Sequence, residues 1–89
     1  MFFEFDPKKS PKNKEKHGID FLEGQAIFTD PRAIRHIPET SHDGEAYWKA
    51  VGQTQDKLWT VIYVQRGDTV RIVSIRRARE EEREQYETE

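Results

Sequence analysis

The stretch KLWTVIYVQ, residues 57–65, decides the fold because it places large side chains on both faces of an extended chain. This composition is typical of a central strand that is covered on both sides. The next four residues, RGDT at 66–69, carry glycine where a tight hairpin turn needs it, and residues 70–75 return as a strand. The two segments predict an antiparallel hairpin built on a central strand.

The segments on either side predict two further strands and a terminal helix. Residues 33–37 and 45–53 follow a period of two, as strands do. Residues 77–86 predict a helix, because Arg79 and Arg83 each stand three or four residues from acids.

The N-terminal third predicts a short strand at residues 2–5 and then two short helices. The first helix begins at Asp6 or at Ser10, each of which is followed by proline, and it ends at Gly18. Asp20 is expected to cap the second helix. The fold class is therefore α+β: an N-terminal strand and two short helices, an antiparallel sheet with helices on one face, and a C-terminal helix.

Length and composition limit the class of protein. With 89 residues, the chain is expected to form a single domain, residues 1–89. It has no cysteine, which excludes a disulfide framework and a cysteine-based zinc site. The N-terminus mixes acids with apolar residues, unlike a secretory signal, and no apolar run approaches the roughly 20 residues of a membrane span. These features predict a cytoplasmic protein without a membrane association.

The net charge of −2 conceals opposite charges in neighbouring segments. Residues 66–79 contain five arginines and one acid, residues 80–89 contain six glutamates and one arginine, and residues 8–16 contain five lysines. Two basic patches on an acidic chain favour a local anion site over general coating of nucleic acid. The alternative is that these residues form solvated faces and helix-end charges.

Three arginines near the hairpin, Arg66, Arg71 and Arg76, are candidates for binding phosphate. Guanidinium groups bind phosphate oxygens at two points and stay charged at any cellular pH. The alternative is that these arginines form internal ion pairs, for example with Asp68 or Glu45.

Strict strand alternation would separate two of these arginines. It puts Arg71 on the face of Val73 and Ile75, and it puts Ser74 and Arg76 on the opposite face. The three arginines can then share one patch only if the strand bends or ends near Ser74.

Aromatic side chains beside arginines on a sheet face are candidate platforms for unstacked RNA bases. Tyr47 shares a strand face with Lys49 and is the best of these candidates, whereas Trp59 and Tyr63 are more simply core or partner-facing residues. We therefore take Tyr47 and Lys49 as candidate RNA-binding residues.

Signatures of several other chemistries are missing from the sequence. It has no glycine-rich phosphate loop, no nucleophile-elbow serine and no His-Glu-x-x-His pair. A metal site would need His36 and His42 with a carboxylate such as Asp43, and ordinary surface histidines are the simpler interpretation. We therefore expect no cofactor and no metal.

A series of short motifs runs along the chain. In order they are FEFDPKK at 3–9, Asn13, KHGI at 16–19, Phe21, Phe28-x-Asp30-Pro31, Glu45, Val51-Gly52, RGD at 66–68, RIVS at 71–74, Arg76-x-Ala78 and Glu82-Arg83-x-x-Tyr86. Taken together, these motifs resemble those of the BrnT-type toxins over nearly the whole chain. Three positions depart from the family pattern: Phe5 stands in place of tryptophan, Tyr47 in place of arginine and Ile75 in place of a small residue.

This resemblance implies a ribonuclease toxin of a type II toxin–antitoxin system with a RelE-like fold. It implies an antitoxin partner, BrnA, that binds DNA through a ribbon-helix-helix-like domain. Operator DNA would then be bound only through the antitoxin, and the hetero-oligomeric complex would repress its own operon. The resemblance also puts Arg66, Arg71, Ser74 and Arg76 at the functional end of the sheet and His17 in a helix motif. Ser74 is thereby a third candidate RNA-binding residue.

These observations lead to the hypothesis of metal-independent RNA cleavage, in which the 2′-OH attacks the adjacent phosphate. Such a reaction needs a base, an acid and stabilisation of the charge on the phosphate. Arg66, Arg71 and Arg76 are the candidates for charge stabilisation. His17 is the candidate acid or base, because histidine exchanges protons readily near neutral pH, and its other role would be to interact with a helix end.

Two other functions stay open from the sequence. The fold could serve as a non-catalytic module that binds RNA or protein, because Tyr47 and Ile75 depart from the family pattern. The lysine-rich first helix could instead bind DNA directly.

Overall fold

A computed structural model describes residues 1–40 and 43–88 as an α+β fold around one five-stranded sheet. The order of the strands in the sheet is β1-β5-β4-β3-β2. Within the described residues, no helix is long and apolar enough to cross a membrane. In chain order the elements are β1 (Phe2–Phe5), α1 (Lys9–His17), a 3₁₀ helix (Glu23–Thr29), β2 (Ile34–Glu39), β3 (Tyr47–Thr54), β4 (Lys57–Arg66), β5 (Thr69–Arg77) and α2 (Glu80–Thr88).

The sheet is mixed, so the prediction of an antiparallel sheet was only partly correct. Strands β2 to β5 pair antiparallel, but β1 lies at the edge and runs parallel to β5. A short hairpin forces its two strands to be antiparallel, whereas β1 and β5 are separated by most of the chain and no hairpin joins them. Their direction therefore depends on long-range pairing that the local sequence does not reveal.

The predicted helix ends were correct at Gly18, which ends α1 with a φ of 89°, but not at the start of that helix. The helix begins at Lys9 rather than at Asp6 or Ser10. Its N-cap, Lys8, makes no side-chain capping bond, and the Asp6 carboxylate accepts the backbone N–H of Lys8 just before the helix. Asp20 and Glu23 each accept the other's backbone N–H, which is a capping box. The helix that follows is a 3₁₀ helix, and the residue that faces it on β3 is Gly52. A Cβ atom at Gly52 would lie 2.7 Å from the carbonyl oxygen of Ile27, so the close approach requires glycine.

The hydrophobic core lies between the helices and one face of the sheet. Ile19, Phe21 and Ile27 come from the helical segment and are almost fully buried. They pack against a row of buried strand residues that includes Trp59 and Tyr63. Burial of both aromatic residues agrees with their assignment to the core.

A β-bulge in β5 corrects the predicted facing of the arginines. Ile62 pairs with Ser74 while the next residue of β4 pairs with Ile72, so Val73 is an extra residue in the ladder. Ile72 and Ile75 are consequently both buried in the core although they are three residues apart. Strict alternation was therefore wrong across the bulge, and Arg71 and Arg76 project from the same face, opposite the core.

The prediction that one face of the sheet takes the helices was wrong, because α2 covers one end of the opposite face through the buried carboxylate of Glu82. This side chain is 1% exposed and accepts hydrogen bonds from both terminal nitrogens of Arg76, at 2.8 and 2.9 Å, and from Lys49 Nζ at 2.9 Å. Thr60 Oγ1 and the backbone N–H of Arg79 donate to the same carboxylate. Burial by itself would raise the pKa of Glu82, but these donors outweigh it and hold the pKa well below its usual range.

A second carboxylate fixes the other end of α2. Asp30, which directly follows the 3₁₀ helix, accepts the hydroxyl of Tyr86 at 2.7 Å and the backbone N–H of Gln53 at 2.8 Å. Partial burial raises the pKa of Asp30, but the hydrogen bonds it accepts leave that pKa lowered overall. The helix is thus attached to the sheet at both ends by polar contacts.

We expect Glu82→Gln to lower the free energy of unfolding at neutral pH by about 3–5 kcal/mol, because Arg76 and Lys49 would stay buried without their counter-charge. The pH dependence has a definite sign. The folded pKa of Glu82 is lowered from 4.5, so its stabilisation is present above that pH and is lost as the pH falls. Urea unfolding followed by tryptophan fluorescence at pH 7, 4 and 3 measures both effects.

The matched control is Glu84→Gln on the exposed side of α2, which should change the free energy of unfolding by no more than about 0.5 kcal/mol. The difference between wild type and Glu82→Gln should shrink on acidification. A difference that stays constant from pH 7 to pH 3 would contradict the role given to the Glu82 carboxylate.

Candidate active site

The sheet face opposite the core is left uncovered beyond α2. This uncovered part carries a row of side chains across all five strands. Glu4 on β1 pairs with Arg71, Arg71 pairs with Val64, and Tyr47 on β3 pairs with Glu39 at the β2 edge. The register between β3 and β4, continued by one residue, places Tyr47 beside Val64. Arg71 and the candidate stacking residue Tyr47 therefore lie in one line on one surface.

Glu4 lies between two of the candidate arginines. Its Oε1 atom is 3.6 Å from Nη1 of Arg71 and 4.0 Å from Nη1 of Arg66. Arg66 also donates a 2.7 Å hydrogen bond to Glu45, which raises the pKa of Arg66. The three side chains are between 37% and 56% exposed, so an anion in solution can reach them.

Arg76 and Lys49 are in a different environment, although they point from the same sheet face. Both side chains are only 16% exposed, and both are bound to Glu82 beneath α2. Ser74 is half-buried beside the bulge and pairs with Ile62, one row away from Arg71. The three candidate arginines thus share a face, but α2 separates Arg76 from the other two.

His17 lies on the other side of the sheet from Arg66, Arg71 and Arg76. It is the last residue of α1, which lies on the core side of the sheet, where Asn13 of the same helix hydrogen-bonds the backbone of Ile75. Arg71 projects from the opposite side. The last turn of α1 also contains Lys14 and Lys16, and positive charge there interacts favourably with the helix dipole.

Tyr47 is held by its hydroxyl group rather than by packing alone. Its oxygen donates a 2.7 Å hydrogen bond to Asp43 Oδ2, and this bond raises the pKa of Tyr47. The ring is half-buried, and its position beside Val64 leaves it on the surface that carries Arg71. A base stacked on this ring would lie next to the arginines.

In residues 1–40 and 43–88, no group of three or more histidine, cysteine, aspartate or glutamate side chains is placed to hold a metal ion. The ring of His36 lies 3.1 Å from the hydroxyl oxygen of Tyr63, through Nδ1. His42, the other histidine of the metal site considered above, lies outside the described residues.

The sequence did not reveal Glu4 as a member of this site. The alternation Phe3-Glu4-Phe5 correctly separates the acid from the two core-facing phenylalanines. The sequence could not predict that Arg71 is the neighbour of Glu4, because the parallel pairing of β1 with β5 joins residues 67 positions apart. A carboxylate beside two partly exposed guanidinium groups can accept a proton next to a bound phosphate.

Comparison with known proteins supplies one match that covers most of the chain. A family model described as "Ribonuclease toxin, BrnT, of type II toxin-antitoxin system" matches residues 5–82. The matched region contains Arg66, Arg71 and Arg76, and Glu4 directly precedes it. A search of curated proteins finds no match.

Proposed function

The chain belongs to the BrnT family of ribonuclease toxins of type II toxin–antitoxin systems, and we propose that it cuts RNA without a metal ion at the surface formed by Glu4, Arg66 and Arg71. The observation that carries this proposal is the position of one carboxylate between two partly exposed guanidinium groups. Together they supply a proton acceptor and positive charge within a few ångströms of each other.

In the proposed reaction, the ribose 2′-oxygen forms a bond to the adjacent phosphorus atom, and the bond from phosphorus to the 5′-oxygen breaks. Arg66 and Arg71 bind the non-bridging oxygens and stabilise the charge that grows on them. Glu4 accepts the proton of the 2′-OH, and the departing 5′-oxygen takes a proton from solvent on the open face. The products are a 2′,3′-cyclic phosphate and a 5′-hydroxyl.

For Arg76, Lys49 and Ser74 we propose supporting parts. Arg76 and Lys49 neutralise Glu82 and thereby position α2 beside the reaction surface. Ser74, next to the bulge, belongs to the adjacent row of that surface. His17 lies on the other side of the sheet, and we assign it to the end of α1.

The family also indicates an antitoxin protein as the partner of this chain. We propose a BrnA-like antitoxin that neutralises the toxin in a hetero-oligomer in the cytoplasm and binds operator DNA, so that the complex represses its own operon. Cleavage of RNA by the free toxin would inhibit translation and growth.

The alternative is a non-catalytic RNA- or protein-binding module of the same fold. The ion pairs of Arg66 and Arg71 favour it, since a substrate phosphate must displace carboxylates that are already in place. An activity measurement separates the two.

The purified chain should cut single-stranded RNA in the presence of EDTA and leave 2′,3′-cyclic phosphate ends. Arg71→Ala should lower the cleavage rate by about a hundred- to a thousandfold, because one donor to the developing charge is lost. Gel analysis of a labelled RNA measures the rate, and circular dichroism confirms folding.

Arg79→Ala is the matched control for Arg71→Ala, since Arg79 is an exposed arginine away from the reaction surface, and it should keep the wild-type rate. Wild-type activity in Arg71→Ala would remove Arg71 from the site. Activity that EDTA abolishes and added divalent ions restore would contradict the metal-free reaction. A pure, folded chain that cuts no RNA would favour the binding-module alternative.

Glu4→Gln should separate binding from chemistry. The cleavage rate should fall by about a hundred- to ten-thousandfold because the proton acceptor is lost. Affinity for RNA should be equal or higher, because a negative charge beside the phosphate is removed. Single-turnover kinetics measure the rate and the affinity separately.

The control is Glu45→Gln, which removes a partner of Arg66 but not the base, and it should keep most of the cleavage rate. Equal losses of rate in both variants would refute the assignment of Glu4 as the base.

Tyr47 should contribute to RNA binding through its ring. Tyr47→Ala should weaken binding of a non-cleavable 2′-O-methyl oligonucleotide by about 1–3 kcal/mol, the contribution of one stacked base. Tyr47→Phe keeps the ring and loses only the hydrogen bond to Asp43, so it should bind almost as wild type does. Fluorescence anisotropy measures both affinities. Equal weakening by the two substitutions would show that the hydroxyl, and not stacking, matters.

A further inference from the structure

A basic cleft lies at the end of the molecule away from the β4–β5 hairpin. It has a volume of about 400 Å³, within the usual range for ligand-binding pockets. Its walls come from the β3–β4 hairpin, the end of β5, α2 and the residues after the 3₁₀ helix. The charged residues that line it are Arg32, Lys57, Arg77, Arg83, Asp56 and Glu87.

The cations of this cleft differ from the candidate catalytic arginines because none of them forms a side-chain ion pair with a described residue. Four cations face two acids in the cleft wall, and in residues 1–40 and 43–88 no carboxylate oxygen lies within 4.0 Å of a side-chain nitrogen of the four. Arg66, Arg71 and Arg76 are all paired within that distance. A further acid, Asp30, accepts the backbone N–H of Arg32 and interacts with its positive charge. The four positive charges outnumber these acids and repel one another, so an anion in the cleft would be stabilising.

Aromatic rings hold two of the guanidinium groups in place. The Arg77 guanidinium lies 5.5 Å from the centre of the Trp59 ring, and that of Arg32 lies 5.1 Å from the centre of the Tyr86 ring. The rings are themselves fixed, since Trp59 donates to the carbonyl of Thr54 and Tyr86 donates to Asp30. The positive charge is therefore partly organised before any ligand binds.

We propose that this cleft binds a backbone phosphate of the RNA chain at a distance from the bond that is cut. Guanidinium forks bind phosphate oxygens at two points, which suits a tetrahedral phosphate. Strand β4 runs from Lys57 in the cleft to Arg66 in the reaction surface, a span of roughly 30 Å. An RNA must be several nucleotides long to reach both. The choice of RNA as the source of the phosphate rests on the proposed ribonuclease activity. The binding of a phosphate in the cleft does not, because it is argued only from the charges and rings of the cleft.

The experiment compares two double variants that each remove two positive charges. Lys57→Gln with Arg83→Gln changes the cleft, and Lys9→Gln with Lys12→Gln changes exposed lysines of α1. The probe is a fluorescent 2′-O-methyl oligonucleotide of about twelve nucleotides, which cannot be cut by 2′-OH attack. Anisotropy titrations at several salt concentrations give the affinity and its salt dependence.

The cleft variant should bind this probe about tenfold more weakly, and the slope of log K against log salt should become shallower by about 0.7, because one phosphate of a single strand is no longer neutralised. The α1 variant should keep the wild-type slope. Inorganic pyrophosphate, titrated alone, should shift the backbone amide resonances of residues 53–58 and 83–87 in the wild-type chain. Equal losses in both double variants, or no shifts in these two segments, would overturn the proposal.

Two further outcomes distinguish this proposal from the proposed function. A chain that cuts no RNA but binds the probe in a cleft-dependent way would leave the phosphate site standing and remove the nuclease. A cleft variant that binds the probe as wild type does but loses affinity for a co-expressed antitoxin would show a protein interface instead, and the phosphate site would be wrong.

Discussion

A carboxylate that is removed from water must be surrounded by donors, and this requirement on Glu82 organises the second face of the sheet. The donors are the side chains of Arg76, Lys49 and Thr60, which come from three different strands. This requirement also fixes where α2 crosses the sheet. What stays open beyond the helix is the surface of Glu4 and Arg71, so the place left for a substrate follows from the placement of one buried charge.

The sequence was sufficient for features that depend on neighbours in the chain. The central strand, the turn around Gly67 and the glycine that ends α1 were all predicted, because each depends on local conformation. Strand limits were displaced by no more than two residues, and the terminal helix begins at Glu80 rather than at residue 77. The bulge at Val73 and the parallel partner of β1 were missed, because register is set by pairing and packing far along the chain.

The sequence named candidate residues for a site but did not reveal how they are arranged. The structure puts Arg66, Arg71 and Tyr47 on one surface, whereas strict alternation had only separated Arg71 from Arg76. The carboxylates that decide what each arginine can do were invisible, because Glu4 and Glu82 come from opposite ends of the chain. The basic run 66–79, treated as one patch in the sequence, is divided among the open surface, the interface beneath α2 and the distant cleft.

This division has a chemical consequence under the two proposals made here. The reaction surface has acids beside its arginines, so it attracts an RNA chain only weakly in the ground state. The cleft, with its excess of positive charge, would supply attraction that does not depend on the reacting bond. Binding in the cleft is equal for substrate and transition state, and such interactions lower KM without raising kcat. The charge that develops at the reacting phosphate is stabilised by Arg66 and Arg71 alone. Separating attraction from chemistry lets Glu4 stay beside the arginines as a proton acceptor, because the affinity for RNA need not come from them.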